Sequence, residues 1–144
     1  MSKRILLLSL QEEPYLDILN GNKKYEYRTR YARCETIAFV YISRTYKEIV
    51  AIIEFGIPIY KRAEELIKIE TTIKKQKELQ KWLNGRDGYA IPVQQIKTCS
   101  PINLATIKEH FPDFTIPQSY LYLDTKPEFL NYLIKETGCN INIR

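Results

Sequence analysis

The chain has 144 residues, of which 44% are hydrophobic and 27% are charged, the balance of a soluble globular protein. This length fits one ordinary domain, which can bury enough apolar surface to need no disulfide or metal. The net charge of +5 favours a polyanionic partner such as nucleic acid, although many basic proteins bind none.

The cysteines and the histidine argue against a structural zinc site. Cys34, Cys99 and Cys139 are widely separated and form no CxxC pair, and His110 is the single histidine. Structural zinc usually requires four Cys or His ligands. We therefore expect no metal and no cofactor, and three unpaired thiols suit a reducing compartment.

The N-terminal apolar run predicts a buried strand. Two basic residues precede Ile5–Leu10, as in a signal peptide. The run spans six residues, whereas a signal peptide needs roughly 7–15 apolar residues and a small-residue cleavage site. No stretch of the sequence is long enough to span a membrane, so we expect a cytoplasmic protein without a membrane partner.

The first half of the chain predicts a strand, a short helix and three more strands. The helix has Pro14 early in its first turn and ends at Gly21, which readily takes a left-handed conformation. Alternating or continuous apolar patterns then predict the strands. They cover residues 24–31, 36–43 and 48–57.

The second half predicts mostly helices. Residues 61–83 have helical spacing and form one helix or two, with any break at Thr71 and Thr72. A strand follows over 89–98, in which Pro92 indicates an edge or a bulge. The remaining elements are a helix over 104–111, a strand over 120–123 and a helix that begins with a capping box, Thr125 to Glu128, and ends before Gly138. The sequence predicts a mixed α+β domain over residues 1–144.

The segment from Gly21 to Arg28 is the best candidate for a site. Glu26 and Arg28 are two apart on a predicted strand, so both side chains project from one face, roughly 6–7 Å apart. Lys23 lies at the loop–strand junction and can turn toward the same face. A carboxylate among cations can accept a hydrogen bond from a base and pair with phosphate. The alternative is an ordinary solvated ion pair on the barrel surface.

A strand and a short helix followed by G-x-K-x-x-E-x-R resemble the signature of the ASCH family in the PUA-like superfamily. Gly21, Lys23, Glu26 and Arg28 match that motif position by position. The predicted 36–57 hairpin and the later strands are similar to the family's, through about Leu123. The resemblance implies an α+β fold with a PUA-like mixed β-barrel of five to six strands, flanking helices, and the helix over 127–137 packed on or appended to the barrel.

The resemblance also implies binding of RNA or a nucleotide. The ligand-binding candidates are Lys23, Glu26, Arg28, Ser9, Ser43, Ser119 and Tyr120. The three serines lie at strand ends, where a hydroxyl contacts a ligand or merely caps a turn. Tyr120 resembles a late element of the family and is the best stacking candidate, whereas Tyr25, Tyr27 and Tyr41 are expected in the core.

An enzyme is the alternative function. Some ASCH-like proteins are similar to amidohydrolases that act on acylated cytidine, and others to ribonucleases. In the amidohydrolases a lysine matching Lys23 acts with a threonine where this chain has Glu26, and with a distant glutamate. That mechanism therefore does not transfer intact, and any catalysis would rest on Lys23 and Glu26 as the proton-handling pair. A third alternative is an adaptor that docks a protein on its C-terminal helix.

Overall fold

The computed structural model describes residues 3–141 as one mixed sheet with five helices. Residues 1–2 and 142–144 of the expected 1–144 domain lie outside the described residues. The strands are β1 Arg4–Leu10, β2 Tyr25–Arg28, β3 Thr36–Ile42, β4 Glu48–Phe55, β5 Ile59–Lys61, β6 Gly88–Asn103 and β7 Tyr120–Tyr122. The helices are α1 Glu12–Leu19, α2 Ala63–Ile69, α3 Ile73–Leu83, α4 Leu104–His110 and α5 Pro127–Thr137. The predicted α+β class is confirmed.

The sheet runs in the order β2-β6-β4-β3-β1-β7, with β5 paired to β6 outside this path. β1 and β3 are parallel, and the chain returns to the start of β3 through a crossover that contains α1 and β2. The remaining pairs are antiparallel. The sheet has seven strands, more than the five to six expected. The short β5 was missed because three residues after Pro58 carry too little pattern to be recognised.

β6 bends the sheet into a half-barrel. Its first residues pair with β2, and its later residues pair with β4. The change of partner comes at Pro92 and Val93, next to a register shift between Glu54 and Phe55. The irregularity expected at Pro92 is therefore where the strand turns from one wall of the barrel to the other.

The sheet is covered on both faces. The barrel interior holds buried side chains from alternating positions of β1, β3 and β4, including Leu6, Leu8 and Phe55. The other positions of β1 and β3 pack under α4 and α5, whose Phe129 and Leu133 are buried. α2 and α3 cover a third cluster against β2 and β6. Burial on both faces explains why β1 and β3 are nearly continuous apolar runs in the sequence.

Two helix boundaries show how far local signals reach. The predicted break at Thr71 and Thr72 is confirmed, since α2 ends at Ile69 and Thr72 caps α3 by accepting a hydrogen bond from the Lys75 amide. The prediction of a capping box at the start of α5 is wrong. Its N-cap is Lys126, without a side-chain cap, and the Thr125 hydroxyl instead donates to the Tyr122 carbonyl.

No helix among residues 3–141 combines the length and the apolar character that crossing a membrane would take.

Candidate functional site

Lys23 is positioned by the turn that ends α1. Gly21 has a φ of 78°, a left-handed conformation that any other residue would adopt at a cost of about 1 kcal/mol or more. The next two amides, of Asn22 and Lys23, both donate to the Asp17 carbonyl. The Lys75 ammonium of α3 donates to the Asn22 carbonyl from the other side, so the loop is held from both directions.

Glu26 and Arg28 face the same side of β2, as strand periodicity predicts. Arg28 Nε donates to Glu26 Oε2 over 2.9 Å, and Arg28 Nη2 lies 2.8 Å from the same oxygen. Glu26 is 7% exposed and is paired in register with Ile91, a residue of the barrel interior. This burial rules out an ordinary solvated surface pair.

The guanidinium of Arg28 also joins the two ends of the sheet. Nη1 donates to Ser119 Oγ over 3.1 Å, and Nη2 donates to the Ser9 carbonyl over 2.9 Å. β2 is one end of the strand order, and β7, which Ser119 precedes, is the other. Side-chain hydrogen bonds from Arg28 therefore close the seam that backbone pairing leaves open. We refer to Lys23, Glu26, Arg28, Ser9 and Ser119 as the seam cluster.

Lys23 is the loosest member of the seam cluster. Its Nζ lies 3.7 Å from Glu26 Oε1, beyond ordinary hydrogen-bond distance. It also lies 4.9 Å from the centre of the Tyr27 ring, within range of a cation–π attraction. The Lys23 ammonium is thus held close to the carboxylate by electrostatics while its three donors remain incompletely used.

The serines expected from the sequence have different roles. Ser9 takes part in the seam cluster through its carbonyl, because its hydroxyl donates to the Pro117 carbonyl over 2.8 Å. Ser119 takes part through its hydroxyl. Ser43 lies beyond β3, where its amide donates to the Leu10 carbonyl, and within the described residues no side-chain hydrogen bond links it to the cluster. Its contact with a ligand stays a prediction.

Tyr120 lies next to the seam cluster and is half-buried. Its ring packs 5.4 Å from that of Tyr31 and 5.6 Å from that of Tyr122, measured between ring centres. Burial raises the pKa of the Tyr120 hydroxyl, so it remains a neutral donor and acceptor at physiological pH. The Tyr120 ring is therefore already in contact with two neighbouring rings, and its use for stacking stays a prediction.

Two buried tyrosine hydroxyls support the walls around the cluster. Tyr31 pairs with Thr36 over 2.7 Å inside the barrel, and Tyr27 donates to Glu70 beneath α2 and α3. Burial raises the pKa of both hydroxyls, and the bond to Glu70 raises that of Tyr27 further. The core positions expected for Tyr27 and Tyr41 are confirmed, whereas Tyr25 is half-buried.

The arrangement can recognise a donor and an anion together. Glu26 Oε2 accepts from Arg28, whereas no hydrogen bond to Oε1 forms within residues 3–141 and Lys23 lies 3.7 Å from it, so Oε1 can accept from a ligand. A ligand N–H can meet Oε1, and an anionic group can meet the Lys23 ammonium. Within residues 3–141 no group of three or more His, Cys, Asp or Glu side chains is placed to hold a metal ion.

Sequence reasoning missed a second group of polar and aromatic residues near the cluster. Two adjoining cavities of about 500 and 460 Å³ lie there, and Tyr120 lines the second. Both cavities are lined by Arg33, Tyr60 and Tyr89, and the second is also lined by Arg30. The pairing of β5 with β6 brings Tyr60 to Tyr89, and the missed β5 is why this group could not be found from the sequence.

Comparisons with known proteins give a likeness of fold without a likeness of sequence. No protein-family model and no curated protein sequence matches the chain. Among solved structures, the crystal structure of ASCH from Zymomonas mobilis is 20% identical and has a TM-score of 0.78, over 93% of this chain and 96% of that one. The structure of a tyrosine-to-phenylalanine variant of the same protein is also 20% identical, with a TM-score of 0.78. The match covers 94% of this chain and 99% of the variant.

A third structure, the NMR structure of Rpa0253 from Rhodopseudomonas palustris, is 17% identical with a TM-score of 0.58, over 96% of both chains. The chain thus has the fold of ASCH proteins along nearly its whole length. The fold expected from the Gly21–Arg28 motif is confirmed.

Proposed function

We propose that this chain is an ASCH-family protein that binds RNA or a nucleotide at the seam cluster. The observation that carries the proposal is the pairing of a fixed, buried Glu26–Arg28 unit with a loosely held Lys23. The match to the G-x-K-x-x-E-x-R motif and the ASCH fold support it. The net charge of +5 is compatible with a polyanionic ligand.

Each member of the cluster has a distinct role in this proposal. Arg28 orients the Glu26 carboxylate, because three of its nitrogens are already engaged by protein groups. Glu26 Oε1 accepts from a ring N–H or an exocyclic amine of a base, and Lys23 pairs with a phosphate. Lys75, which holds the loop, and the exposed lysines of α3 extend the positive potential beside this position.

Binding is tested with Lys23→Ala against a matched control, Lys24→Ala. Lys24 is the next residue, is exposed, and carries the same charge. We expect Lys23→Ala to weaken binding of labelled single-stranded RNA and of nucleotides by at least fivefold, and Lys24→Ala to change it less than twofold. Fluorescence anisotropy at two salt concentrations measures both. If both variants weaken binding equally, the ligand is attracted by the overall positive charge and not by the site, and the proposal is overturned.

A hydrolase is the second candidate, favoured by the 3.7 Å separation of the Lys23 ammonium and the Glu26 carboxylate. Such a pair can transfer a proton to or from a bound substrate. Incubation with a panel of acylated nucleosides and with labelled RNA tests it, with product detected by chromatography. Turnover that Glu26→Gln abolishes would establish the enzyme. Tight binding without turnover would leave the chain a binding protein.

A further inference from the structure

A second polar surface adjoins the seam cluster and has the composition of a nucleic-acid contact. It consists of Tyr60, Tyr89, Tyr120, Arg30 and Arg33, which we call the tyrosine–arginine surface. We propose that it is an extension subsite, where a nucleotide next to the one held at Lys23 stacks on Tyr60 and places its phosphate at Arg30 and Arg33. This inference rests on the proposed function, since it assigns single-stranded RNA to the same site.

Strand register places the two sites side by side. Arg28 is paired with Tyr89 across β2 and β6, and Tyr89 is paired with Tyr60 across β6 and β5. Paired residues point to the same face, so the three side chains form a row across three strands. Two strand spacings put Tyr60 about 10 Å from Arg28 along this row. A chain anchored in the seam cluster therefore continues directly over Tyr89 and Tyr60.

The aromatic side chains are presented for stacking. Tyr60 is 61% exposed, yet its ring is fixed by an edge contact with Tyr89, at 5.0 Å between ring centres and 68° between planes. The fixed orientation lowers the entropic cost of stacking a base on its open face. Base–aromatic stacking is sequence-tolerant because every base has a π-face.

The arginines and tyrosines together fit a single-stranded nucleic acid better than an acidic peptide. Arg30 and Arg33 are exposed, and neither forms an ion pair or a side-chain hydrogen bond within residues 3–141. Among the described residues, none that lines either cavity is acidic. An acidic peptide would satisfy the arginines but would leave the three tyrosine rings without flat partners. Alternating bases and phosphates satisfy both kinds of group.

The test compares uridine monophosphate with oligouridine of six nucleotides, by competition against a labelled oligomer. In the wild type we expect the oligomer to bind more tightly than the mononucleotide. Tyr60→Ala is expected to weaken the oligomer at least fivefold, the lower end of a stacking contribution, and to leave the mononucleotide within twofold. Tyr60→Phe, which keeps the ring, is expected to bind like the wild type.

The arginines give a second readout. Arg33→Ala is expected to reduce the slope of log Kd against log salt concentration by about 0.7, the value for one phosphate on a single strand. The control is Lys108→Ala, an exposed charge on α4 outside the cavity lining, which is expected to leave both slope and affinity unchanged.

The outcomes separate this inference from the function on which it rests. Normal oligomer binding by Tyr60→Ala and Arg33→Ala, with both ligands weakened by Lys23→Ala, overturns the subsite and leaves the proposed function standing. Oligomer binding that needs Tyr60 but not Lys23 overturns the proposed function. An affinity for double-stranded RNA equal to that for the single-stranded oligomer contradicts the stacking role, because paired bases cannot reach Tyr60. If the protein binds neither the mononucleotide nor the oligomer, both proposals are overturned.

Discussion

The seam cluster and the tyrosine–arginine surface use the same kinds of residue in opposite ways. In the seam cluster, Arg28 is mostly buried, and Nε, Nη1 and Nη2 each donate to a protein acceptor. On the neighbouring surface, Arg30 and Arg33 are exposed and make no ion pair within the described residues. Arg30 is only two positions after Arg28 in the chain, yet Arg28 fixes the barrel and Arg30 faces solvent.

The difference indicates how the proposed binding face would combine a fixed pair with accessible charges. A buried charged pair requires well-oriented partners, because removing one partner leaves an uncompensated charge. Such a pair can hold a carboxylate oxygen in one position for a ligand. Exposed arginines contribute little to stability, and they can pair with a ligand without breaking protein contacts. Substitutions of the buried Glu26–Arg28 pair should therefore change stability, whereas substitutions of the exposed arginines should change binding alone.

Removal of the Arg28 guanidinium should lower the free energy of unfolding more than any other substitution considered. Arg28→Met leaves Glu26 buried with Lys23 beside it and removes the hydrogen bonds that join β2 to the β1–β7 end of the sheet. We expect the free energy of unfolding to fall by about 3 kcal/mol, as for a broken buried pair. Urea denaturation followed by circular dichroism measures it.

The matched control for that prediction is Arg30→Met, which removes the same charge two residues later. Its effect on stability should stay within about 0.5 kcal/mol, as for most exposed positions. The double variant Glu26→Gln with Arg28→Met should regain part of the lost stability, because no buried charge is then left unpaired. Equal losses at Arg28 and Arg30 would mean that the seam is not a stabilising contact.

Gly88 should show how the seam depends on close approach of β6 to β2. A Cβ at this position would lie 2.7 Å from the Arg28 carbonyl oxygen, which is backbone and cannot move aside alone. Gly88→Ala should therefore push β2 outward, with a loss of about 2 kcal/mol and weaker ligand binding at the cluster. Gly85→Ala is the control, since nothing lies near its Cβ and its cost of about 1 kcal/mol comes from its φ of 79° alone. A more stable Gly88→Ala protein would contradict this packing.

The two regions also differ in how well the sequence predicts them. Lys23, Glu26 and Arg28 lie within the six residues 23–28, so strand periodicity and the motif bring them together without knowledge of the fold. Ser119 and the Ser9 carbonyl join them only through the sheet order, which a local pattern does not contain. The apolar runs of β1 and β3 likewise predicted the core directly.

The tyrosine–arginine surface could not be predicted in the same way. Tyr60 belongs to a three-residue strand, and its neighbour Tyr89 is 29 positions later, beyond two helices. The alternation over residues 24–31 favoured a continuous strand, whereas β2 ends at Arg28 and frees Arg30 from the sheet. The capping box predicted at Thr125 is absent from α5. The helix begins at Pro127 without a side-chain cap, because the fixed φ of proline already suits the first turn.

Tyr31 lies between the two regions and should give the stability a distinct alkaline dependence. Burial raises the pKa of its hydroxyl above the ordinary value of about 10, despite the bond to Thr36 and the nearby charge of Arg28, which lower it. The native state therefore keeps this proton above pH 10 while the unfolded chain loses it. The stabilisation is fully present below pH 10 and is lost as the pH rises toward the native pKa, by at most about 1.4 kcal/mol per pH unit.

Tyr31→Phe isolates that contribution, since the other titrating groups are common to both proteins. Between pH 9 and 11, the free energy of unfolding of the wild type should fall more steeply than that of the variant. Parallel curves would show that Tyr31 ionises in the native state as it does in the unfolded chain, and hence that the wall between the two regions is open to water.

Ser119→Ala should give the smallest effect and tests the seam at its outer edge. The substitution removes the hydroxyl that accepts from Arg28 Nη1 and leaves the guanidinium's other bonds in place. We expect a loss of about 1 kcal/mol, the usual contribution of one hydrogen bond, measured by urea denaturation. Ser43→Ala is the matched control, because its hydroxyl makes no hydrogen bond among the described residues, and should be nearly neutral. Equal stability of both variants would mean that the Ser9 carbonyl and Glu26 alone hold Arg28 across the seam, and Ser119 would then be free to contact the ligand.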